Sequence, residues 1–181
     1  MTTYVALLRG INVGGNRKVP MARLREVVSE AGFGDVRTYI QSGNIVVTSP
    51  SRSVAAITGR LEEAIAGAFG FSVPVVVRSA AQLDAVLAGN PFLVPRPRAG
   101  AEHLHVMFLS GVPDPPRVAA LDPDRSPHDE FELRGQELYL HCPRGVADSK
   151  LTNDYLVRTL GVQATGRNWR TVTALHELAA S

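Results

Sequence analysis

The stretch YVALLRGINVGGNRKVPMARL (residues 4–24) decides the fold. Residues 4–10 show almost no polar alternation, which predicts a strand buried on both faces. Pro20 suits the first turn of a helix. Apolar residues then follow at helical spacing: Met21, Leu24, Val27 and Ala31. The pattern predicts a strand, a glycine-rich loop over residues 10–19 and a helix, an arrangement that proteins use to hold phosphate groups.

Further strands and a helix are predicted up to residue 78. VRTYI (36–40) and NIVVTS (44–49) read as two strands around a short turn, and SVPVVVR (72–78) reads as a fourth strand. A second helix is expected from about Ser53, because apolar residues recur on one helical face after it. The resulting order, strand-helix-strand-strand-helix-strand, is that of the ferredoxin-like fold.

The second half of the chain repeats this order more loosely. Its expected strands are residues 102–109, a hairpin over 129–142 that turns at Gly135, and a weak last strand over 162–165. Its expected helices cover 115–121, 152–160 and a C-terminal segment from Trp169. We therefore predict an α+β protein of two tandem ferredoxin-like α/β plaits. The predicted domains are residues 1–78, a helical and proline-rich connector 79–101, and residues 102–181 with a C-terminal helix.

Composition narrows the class of protein. The 181 residues are 45% hydrophobic and 20% charged, which is typical of a globular chain. The formal net charge of +2 does not by itself call for a nucleic-acid or membrane partner. One cysteine excludes an internal disulfide framework and suits a reducing compartment. With no signal-peptide pattern and no run of roughly 20 apolar residues, we expect a cytoplasmic protein without a membrane partner.

Chain direction brings distant segments together. In the predicted topology the first two strands of each half run the same way, so the loop 10–19 and the turn 41–44 leave the sheet at one edge. The third and fourth strands also run the same way. Segments 143–154 and 165–171 should therefore share an edge in the second half.

These edges are rich in hydrogen-bond donors and poor in acids, which suits a phosphate or a carboxylate. Glycines allow backbone amides to approach a ligand closely. Candidate ligand-binding residues at the first edge are Arg9, Gly10, Asn12, Gly14, Gly15, Lys18, Gln41, Ser42, Gly43 and Asn44. Candidates at the second edge are Lys150, Asn153, Arg167, Asn168 and Trp169. Lys18 and Lys150 are the two lysines among 19 basic residues.

Simpler interpretations stay open beside this one. Gly15 is followed by Asn16 and Arg17, so the loop is not a P-loop, and its glycine spacing is not the dinucleotide fingerprint. Such a loop also serves merely to connect a strand to a helix. Residues 42–44 are also typical of a tight hairpin. Trp169 could equally pack in the core, and Asn168 could equally cap the last helix.

Other chemistries have less support. His103 and His105 share a predicted strand face, yet no third metal ligand is placed, and we predict no metal site. Tyr139 and Glu137 lie on the same face as His141, which favours a solvated sheet face. Cys142 has no histidine partner and is expected to be a buried structural thiol. No catalytic residue and no cofactor is assigned.

The chain resembles the bacterial family DUF1697, a family of unknown function. The resemblance is carried by YVALLRGINVGGNRKVPMARLRE, YIQSGNIVV, NPF, SKLTND and ATGRNWRTVTAL. It implies a tandem of ferredoxin-like plaits and no established activity, substrate or catalytic residue. Its signature segments coincide with the donor-rich edges, although Gly166 stands where a polar residue is expected.

Three hypotheses follow. The first is binding of an anionic small molecule, phosphate- or nucleotide-like; if the protein is an enzyme, Lys18, Lys150 and Arg167 would stabilise negative charge. The second is an RNA or other nucleic-acid binding module, because ferredoxin-like sheets often stack bases, although Tyr4 is the one aromatic on the two central strands of the first sheet. The third is a protein-interaction scaffold or oligomer, because the first sheet is apolar on both faces.

Overall fold

The chain is divided into two compact units. A computed structural model describes residues 1–93 and 100–181; residues 94–99 of the predicted proline-rich connector lie outside the described residues. The first unit comprises Met1–Asp84 with Leu175–Ser181, and the second comprises Ala85–Ala174. The predicted domain limits at residues 78 and 102 stay a prediction.

The first unit contains a four-stranded antiparallel sheet. Its strands are β1 (Thr2–Leu8), β2 (Gly34–Tyr39), β3 (Asn44–Ser49) and β4 (Val75–Ser79), in the order β2-β3-β1-β4. Two helices connect them: α1 (Met21–Glu30) and α2 (Val54–Phe69). A third helix, α3 (Ala80–Ala88), begins directly after β4. A reciprocal pair of hydrogen bonds caps it: the Ser79 amide donates to Gln82 Oε1 at 2.8 Å, and the Gln82 amide donates to Ser79 Oγ at 3.2 Å.

The core of the first unit lies between its sheet and its helices. Tyr4, Ala6 and Leu8 of β1 belong to one cluster with Leu24 of α1 and Leu61 of α2. The alternate residues of β1, Val5 and Leu7, are buried as well. The prediction that this strand is buried on both faces is therefore confirmed.

The second unit contains a second four-stranded antiparallel sheet. Its strands are β5 (Leu104–Leu109), β6 (Glu130–Arg134), β7 (Glu137–His141) and β8 (Ala164–Asn168), in the order β6-β7-β5-β8. The helices that connect them are α4 (Pro115–Ala119) and α5 (Asn153–Leu160). The last helix of the chain, α6 (Trp169–Ala180), begins directly after β8. The α+β class is confirmed.

Two local predictions need correction. The last strand was expected at residues 162–165, but β8 continues to Asn168 and leaves no loop before α6. Gly166 lies inside this strand, which is at the edge of its sheet and pairs with β5 along its whole length.

The face of β7 that carries Tyr139 is also not the solvated face that was expected. Tyr139 is buried, and its hydroxyl donates a hydrogen bond of 2.9 Å to the carbonyl of Val86 in α3. His141 lies beside Phe92, with 5.8 Å between ring centroids. Residues 86–92 therefore cover this face, and tyrosine tolerates the burial because its hydroxyl has a partner.

Across the described residues, no helix is long and apolar enough to span a membrane.

Candidate functional site

The first sheet brings the two predicted segments of its edge into contact. β1 and β2 both pair antiparallel with β3, so they point the same way, as the topology predicted. The amide of Leu8 donates to the carbonyl of Gly43 at 2.8 Å. Asn12 Nδ2 donates to the carbonyl of Gln41, also at 2.8 Å. Loop 10–19 and turn 41–44 therefore form one continuous edge.

The glycine-rich loop is a small β-hairpin. Val13 and Asn16 form a bridge, with the Asn16 amide 3.1 Å from the Val13 carbonyl. Gly14 and Gly15 have φ values of 60° and 77°, and a type I′ turn requires positive φ at both of its central residues. The hairpin tip is exposed, with Val13 at 69% of its full accessibility. The amides of the glycines thus make a turn and do not line an enclosed cradle.

Asn12 holds this hairpin to the rest of the edge. Its side chain accepts a hydrogen bond from the Val19 amide at 2.8 Å and donates to the Val19 carbonyl at 3.0 Å. With the bond to Gln41, every hydrogen-bonding function of this amide has a backbone partner. Its role in the structure is to fix the loop.

The basic residues of the first edge differ in whether they have hydrogen-bond partners. Arg17 donates to the carbonyl of Ser72, and its guanidinium lies 5.1 Å from the ring centroid of Phe71. The backbone amide of Arg9 donates to the carbonyl of Pro74 at 3.0 Å. Lys18 is exposed, and its ammonium has no ion-pair or hydrogen-bond partner among the described residues.

The turn 41–44 is also held by a side chain. Asn44 is buried and donates to the Tyr39 carbonyl at 3.0 Å and to Ser42 Oγ at 2.9 Å. Gly43 has φ 80°, and a Cβ there would lie 2.7 Å from Leu8 Cβ. These residues build the tight turn that was the simpler interpretation of the sequence.

The second sheet brings its own pair of segments together. β7 and β8 both pair antiparallel with β5, and His105 lies opposite Leu140 on one side and Asn168 on the other. The segment that follows β7 and the end of β8 therefore reach the same edge. Two cavities lie there, with residues 144–153 contributing to both.

The first of these, the Lys150 cavity, has a volume of about 420 Å³. Its lining residues are Ser126, Pro127, His128, Asp129, Arg144, Gly145, Asp148 and Lys150. The second, the His105 cavity, has a volume of about 340 Å³. Its lining residues are His105, Met107, Leu140, Val146, Leu151, Thr152, Asn153 and Gly166.

The Lys150 cavity carries charges of both signs. The side chains of His128, Arg144 and Lys150 are exposed and have no partner among the described residues. Of the two acids, Asp129 accepts a hydrogen bond of 2.6 Å from Ser126 Oγ. Ser126 Oγ in turn accepts from the Lys150 amide at 3.2 Å, which fixes the backbone beside the cavity. The cavity can thus offer free cationic donors beside a fixed acid.

Arg167, Asn168 and Trp169 do not line either cavity. Successive residues of a strand point to opposite faces, so Gly166 lies at the His105 cavity and Arg167 lies on the other face. Arg167 is 8% exposed and donates to Thr165 Oγ1 and to the Gly166 carbonyl, each at 2.8 Å. Burial lowers the pKa of its guanidinium to about 10, so it stays charged at neutral pH.

The end of β8 has the structural roles that the sequence left open. Asn168 Oδ1 accepts a hydrogen bond of 2.8 Å from the Thr171 amide in the first turn of α6. Trp169 is buried at the start of the same helix. Asn153 also begins a helix, α5, but unlike Asn168 it lines a cavity.

Cys142 is a buried thiol. Burial, followed by the charge of Asp129, raises its pKa to about 11, so at neutral pH it is protonated and a poor nucleophile. No group of three histidine, cysteine or carboxylate side chains within residues 1–93 and 100–181 has the geometry to hold a metal ion.

Arg144 and His128 were not among the predicted site residues. Arg144 lies in the same connection as Lys150, between β7 and α5, whereas His128 lies in the connection between α4 and β6 and reaches Lys150 only because the two connections meet at the cavity. Segment 143–154 was predicted to reach this edge, and the Pro-Arg-Gly turn directly after a strand is the signal that could have marked Arg144 within it as a candidate.

The chain is thus an α+β protein with two four-stranded antiparallel sheets, the second of which carries a cavity with free basic groups at one edge. It belongs to the DUF1697 family, a family of proteins of unknown function, whose model matches residues 1–139. The resemblance seen in the sequence is therefore confirmed. Among curated proteins, no significant match is found. A solved structure, described as the conserved bacterial protein SP0830 from Streptococcus pneumoniae, is similar to the chain. The two share 25% identity and a TM-score of 0.79, over 100% of this chain and 99% of that one.

Proposed function

We propose that the protein binds an anionic small molecule with a phosphate or carboxylate group at the Lys150 cavity. The observation that carries the proposal is that Lys150 and Arg144 line one cavity with side chains that no described residue engages. A guanidinium offers two parallel donors to a phosphate or carboxylate, and an ammonium adds a mobile point charge.

The size and charge of the cavity fit a small metabolite better than a macromolecule. Its volume of about 420 Å³ lies within the range of small-molecule sites. Asp129 and Asp148 also line it, so a ligand with hydroxyl or amino groups beside its anionic group matches the lining better than a bare polyanion does. A nucleotide or a sugar phosphate has this combination of groups.

The first edge supports anion binding less well. The amide of Asn12 holds Val19 and Gln41, and Arg17 holds Ser72. Lys18 retains a free ammonium there, so the experiment has to separate the two lysines.

The proposal that a site lies at this edge of the second sheet is supported by the fold. We infer that each unit is a ferredoxin-like plait, an inference that rests on the strand orders β2-β3-β1-β4 and β6-β7-β5-β8 with helices between the strands. In this topology the segment after the third strand and the end of the fourth strand reach one edge of the sheet.

The test is a thermal-shift and calorimetric panel on the full chain with orthophosphate, pyrophosphate, sulfate and adenosine 5′-monophosphate. A ligand at 100 times its dissociation constant stabilises the folded state by about 2.7 kcal/mol. Lys150→Ala and Arg144→Ala should each remove most of that stabilisation. Lys18→Ala is the matched control, because it removes the other exposed lysine, which belongs to the first unit, and should leave the stabilisation unchanged.

The outcomes separate the alternatives. Loss of anion binding in Lys18→Ala but not in Lys150→Ala would move the site to the first edge. No stabilisation by any of the four anions, in the wild type or in the variants, would leave the proposal without support.

A further inference from the structure

The two units repeat each other residue by residue along two strands. In the first unit, β1 and β4 pair Tyr4 with Ser79, Val5 with Arg78 and Ala6 with Val77. In the second, β5 and β8 pair His105 with Asn168, Val106 with Arg167 and Met107 with Gly166. β4 ends at Ser79 and β8 ends at the equivalent Asn168, and a helix follows each strand at once. Each unit has a buried arginine at the middle position, Arg78 in the first and Arg167 in the second, which supports this equivalence.

The start of the second helix of each unit gives an independent anchor. Ser53 caps α2, where its side chain accepts from the Ala56 amide at 3.2 Å. Thr152 caps α5 in the same way, with the Tyr155 amide at 3.3 Å. Two residues before each cap stand Ser51 and Lys150. These two positions are therefore equivalent.

The first unit fills the space between these anchors with its own side chains. Tyr4 is 3% exposed, and its hydroxyl donates to the carbonyl of Ser51 at 2.9 Å. Val77 on the neighbouring strand is buried in the same cluster. A planar ring with a polar end thus bridges from the central strand to the segment that precedes the helix.

The second unit leaves the equivalent space open. His105 replaces Tyr4 and Gly166 replaces Val77 with smaller side chains, and both line the His105 cavity of about 340 Å³. Met107, which replaces the smaller Ala6, occupies part of the space beside Gly166, with its Sδ 2.7 Å from the position of a Cβ there. The carbonyl of Lys150, equivalent to that of Ser51, accepts instead from Arg125 Nε at 2.8 Å. Among the described residues, His105 Nδ1 is a buried nitrogen with no hydrogen-bond partner.

The lining of the His105 cavity is mainly apolar and uncharged. Met107, Leu140, Val146 and Leu151 supply its walls, and Thr152 and Asn153 are neutral. Desolvation by burial lowers the pKa of His105, partly offset by the backbone of His103 and reinforced by the charge of that residue's ring. Burial therefore favours the neutral imidazole, and the other lining side chains carry no charge that could pair with a charged ligand group.

We propose that the His105 cavity binds a small uncharged planar ring that bears a hydrogen-bonding substituent, in the place that the first unit fills with the phenol ring of Tyr4. The site is distinct from the Lys150 cavity and does not depend on anion binding there. Its volume lies within the range of small-molecule sites, with the apolar walls and few polar groups that such sites share.

The probe is p-cresol, which is the side chain of tyrosine as a free molecule. Methyl-labelled full-length protein is titrated with p-cresol and followed by two-dimensional NMR. The methyl signals of Met107, Leu140, Val146 and Leu151 should shift together and saturate, with a dissociation constant on the order of 1 mM for so small a ligand.

Two variants close the cavity in different ways. His105→Tyr restores the residue of the first unit and should weaken p-cresol binding by roughly tenfold or more, because the protein's own ring takes the place. A Cβ at Gly166 would lie 2.7 Å from Met107 Sδ, so the second variant combines Gly166→Val with Met107→Ala and copies the pair Ala6 and Val77. It should weaken binding to a similar extent, and it decides the matter if His105→Tyr does not fold.

His103→Tyr is the matched control, since it makes the same change at a histidine that does not line the cavity. It should bind p-cresol as the wild type does. Shifts that do not saturate in the wild type would overturn the proposal. So would a folded His105→Tyr or double variant that still binds p-cresol with wild-type affinity.

Discussion

At the residue scale, two asparagine side chains hold a strained turn between them. Ile40 has φ 49°, a left-handed conformation that is costly for a β-branched residue, and its side chain is 52% exposed. Asn44 holds the carbonyl before it, that of Tyr39, and Asn12 holds the carbonyl after it, that of Gln41. Two amides that the sequence analysis assigned to a ligand thus stabilise a backbone conformation that could not persist alone.

Gly43 makes the close approach of this turn to β1 achievable, and we expect Gly43→Ala to destabilise the protein. A Cβ there would lie 2.7 Å from Leu8 Cβ and 2.9 Å from Ile11 Cδ1, at a φ of 80°. Left-handed strain and overpacking together predict a loss of about 2 to 5 kcal/mol in the free energy of unfolding, measured by urea denaturation.

The control for this prediction is Gly59→Ala, an exposed position inside α2 with open space around its Cβ. Removing a glycine from a helix interior should raise stability by about 0.5 to 1 kcal/mol. If both alanine variants changed stability alike, the contact of Gly43 with Leu8 and Ile11 would not be the cause.

At the element scale, most strands and helices were predictable because hydrophobic periodicity and local caps determine them. The start of α3 is an example, because serine followed three residues later by glutamine is a sequence signature of a helix start, and Ser79 and Gln82 form that reciprocal cap. The continuation of β8 through Gly166 to Asn168 was not predictable, because nothing in the local sequence shows that an edge strand tolerates a glycine there. Gly-Gly between Val13 and Asn16 is typical of a two-residue hairpin turn. The attachment of this hairpin to turn 41–44 depends on a hydrogen bond from Asn12 to Gln41, 29 residues away.

One contact between elements yields a prediction of its own. Glu62 of α2 accepts a hydrogen bond of 2.9 Å from the amide of Val75, the first residue of β4. Glu62→Leu leaves that part-buried amide without its partner and should lower the free energy of unfolding by about 1 to 3 kcal/mol. Glu62→Gln keeps an acceptor oxygen and should cost about half as much or less.

The matched control is Glu63→Leu, which removes the next carboxylate of the same helix at an exposed position. A surface change of this kind should stay within about 0.5 kcal/mol. Equal losses in Glu62→Leu and Glu62→Gln, measured in the same urea series, would show that the charge and not the acceptor secures β4.

At the scale of the whole molecule, the sequence predicted the direction of the strands and hence which segments share an edge. It did not predict what the side chains at each edge do, since that depends on neighbours distant in the chain. Asn12 and Arg17 donate to backbone carbonyls, whereas Lys150 lines a cavity with Arg144 of its own connection and His128 of another. The two units share a register but diverge in function at Tyr4 and His105, a difference that becomes visible only when the strands are paired.

The distribution of apolar groups over the whole chain predicts weak RNA binding. Stacking of bases needs exposed aromatic rings. Yet the exposed large hydrophobic residues of the described chain are aliphatic: Met1, Val13, Ile40, Val54, Val112 and Val146. With a net charge of +2, the attraction to phosphates is also small. We expect a fluorescent 12-nucleotide single-stranded RNA to bind with a dissociation constant weaker than about 100 µM at 150 mM salt. Fluorescence anisotropy across a salt series measures this, and micromolar binding with a steep salt dependence would instead identify a nucleic-acid binding module.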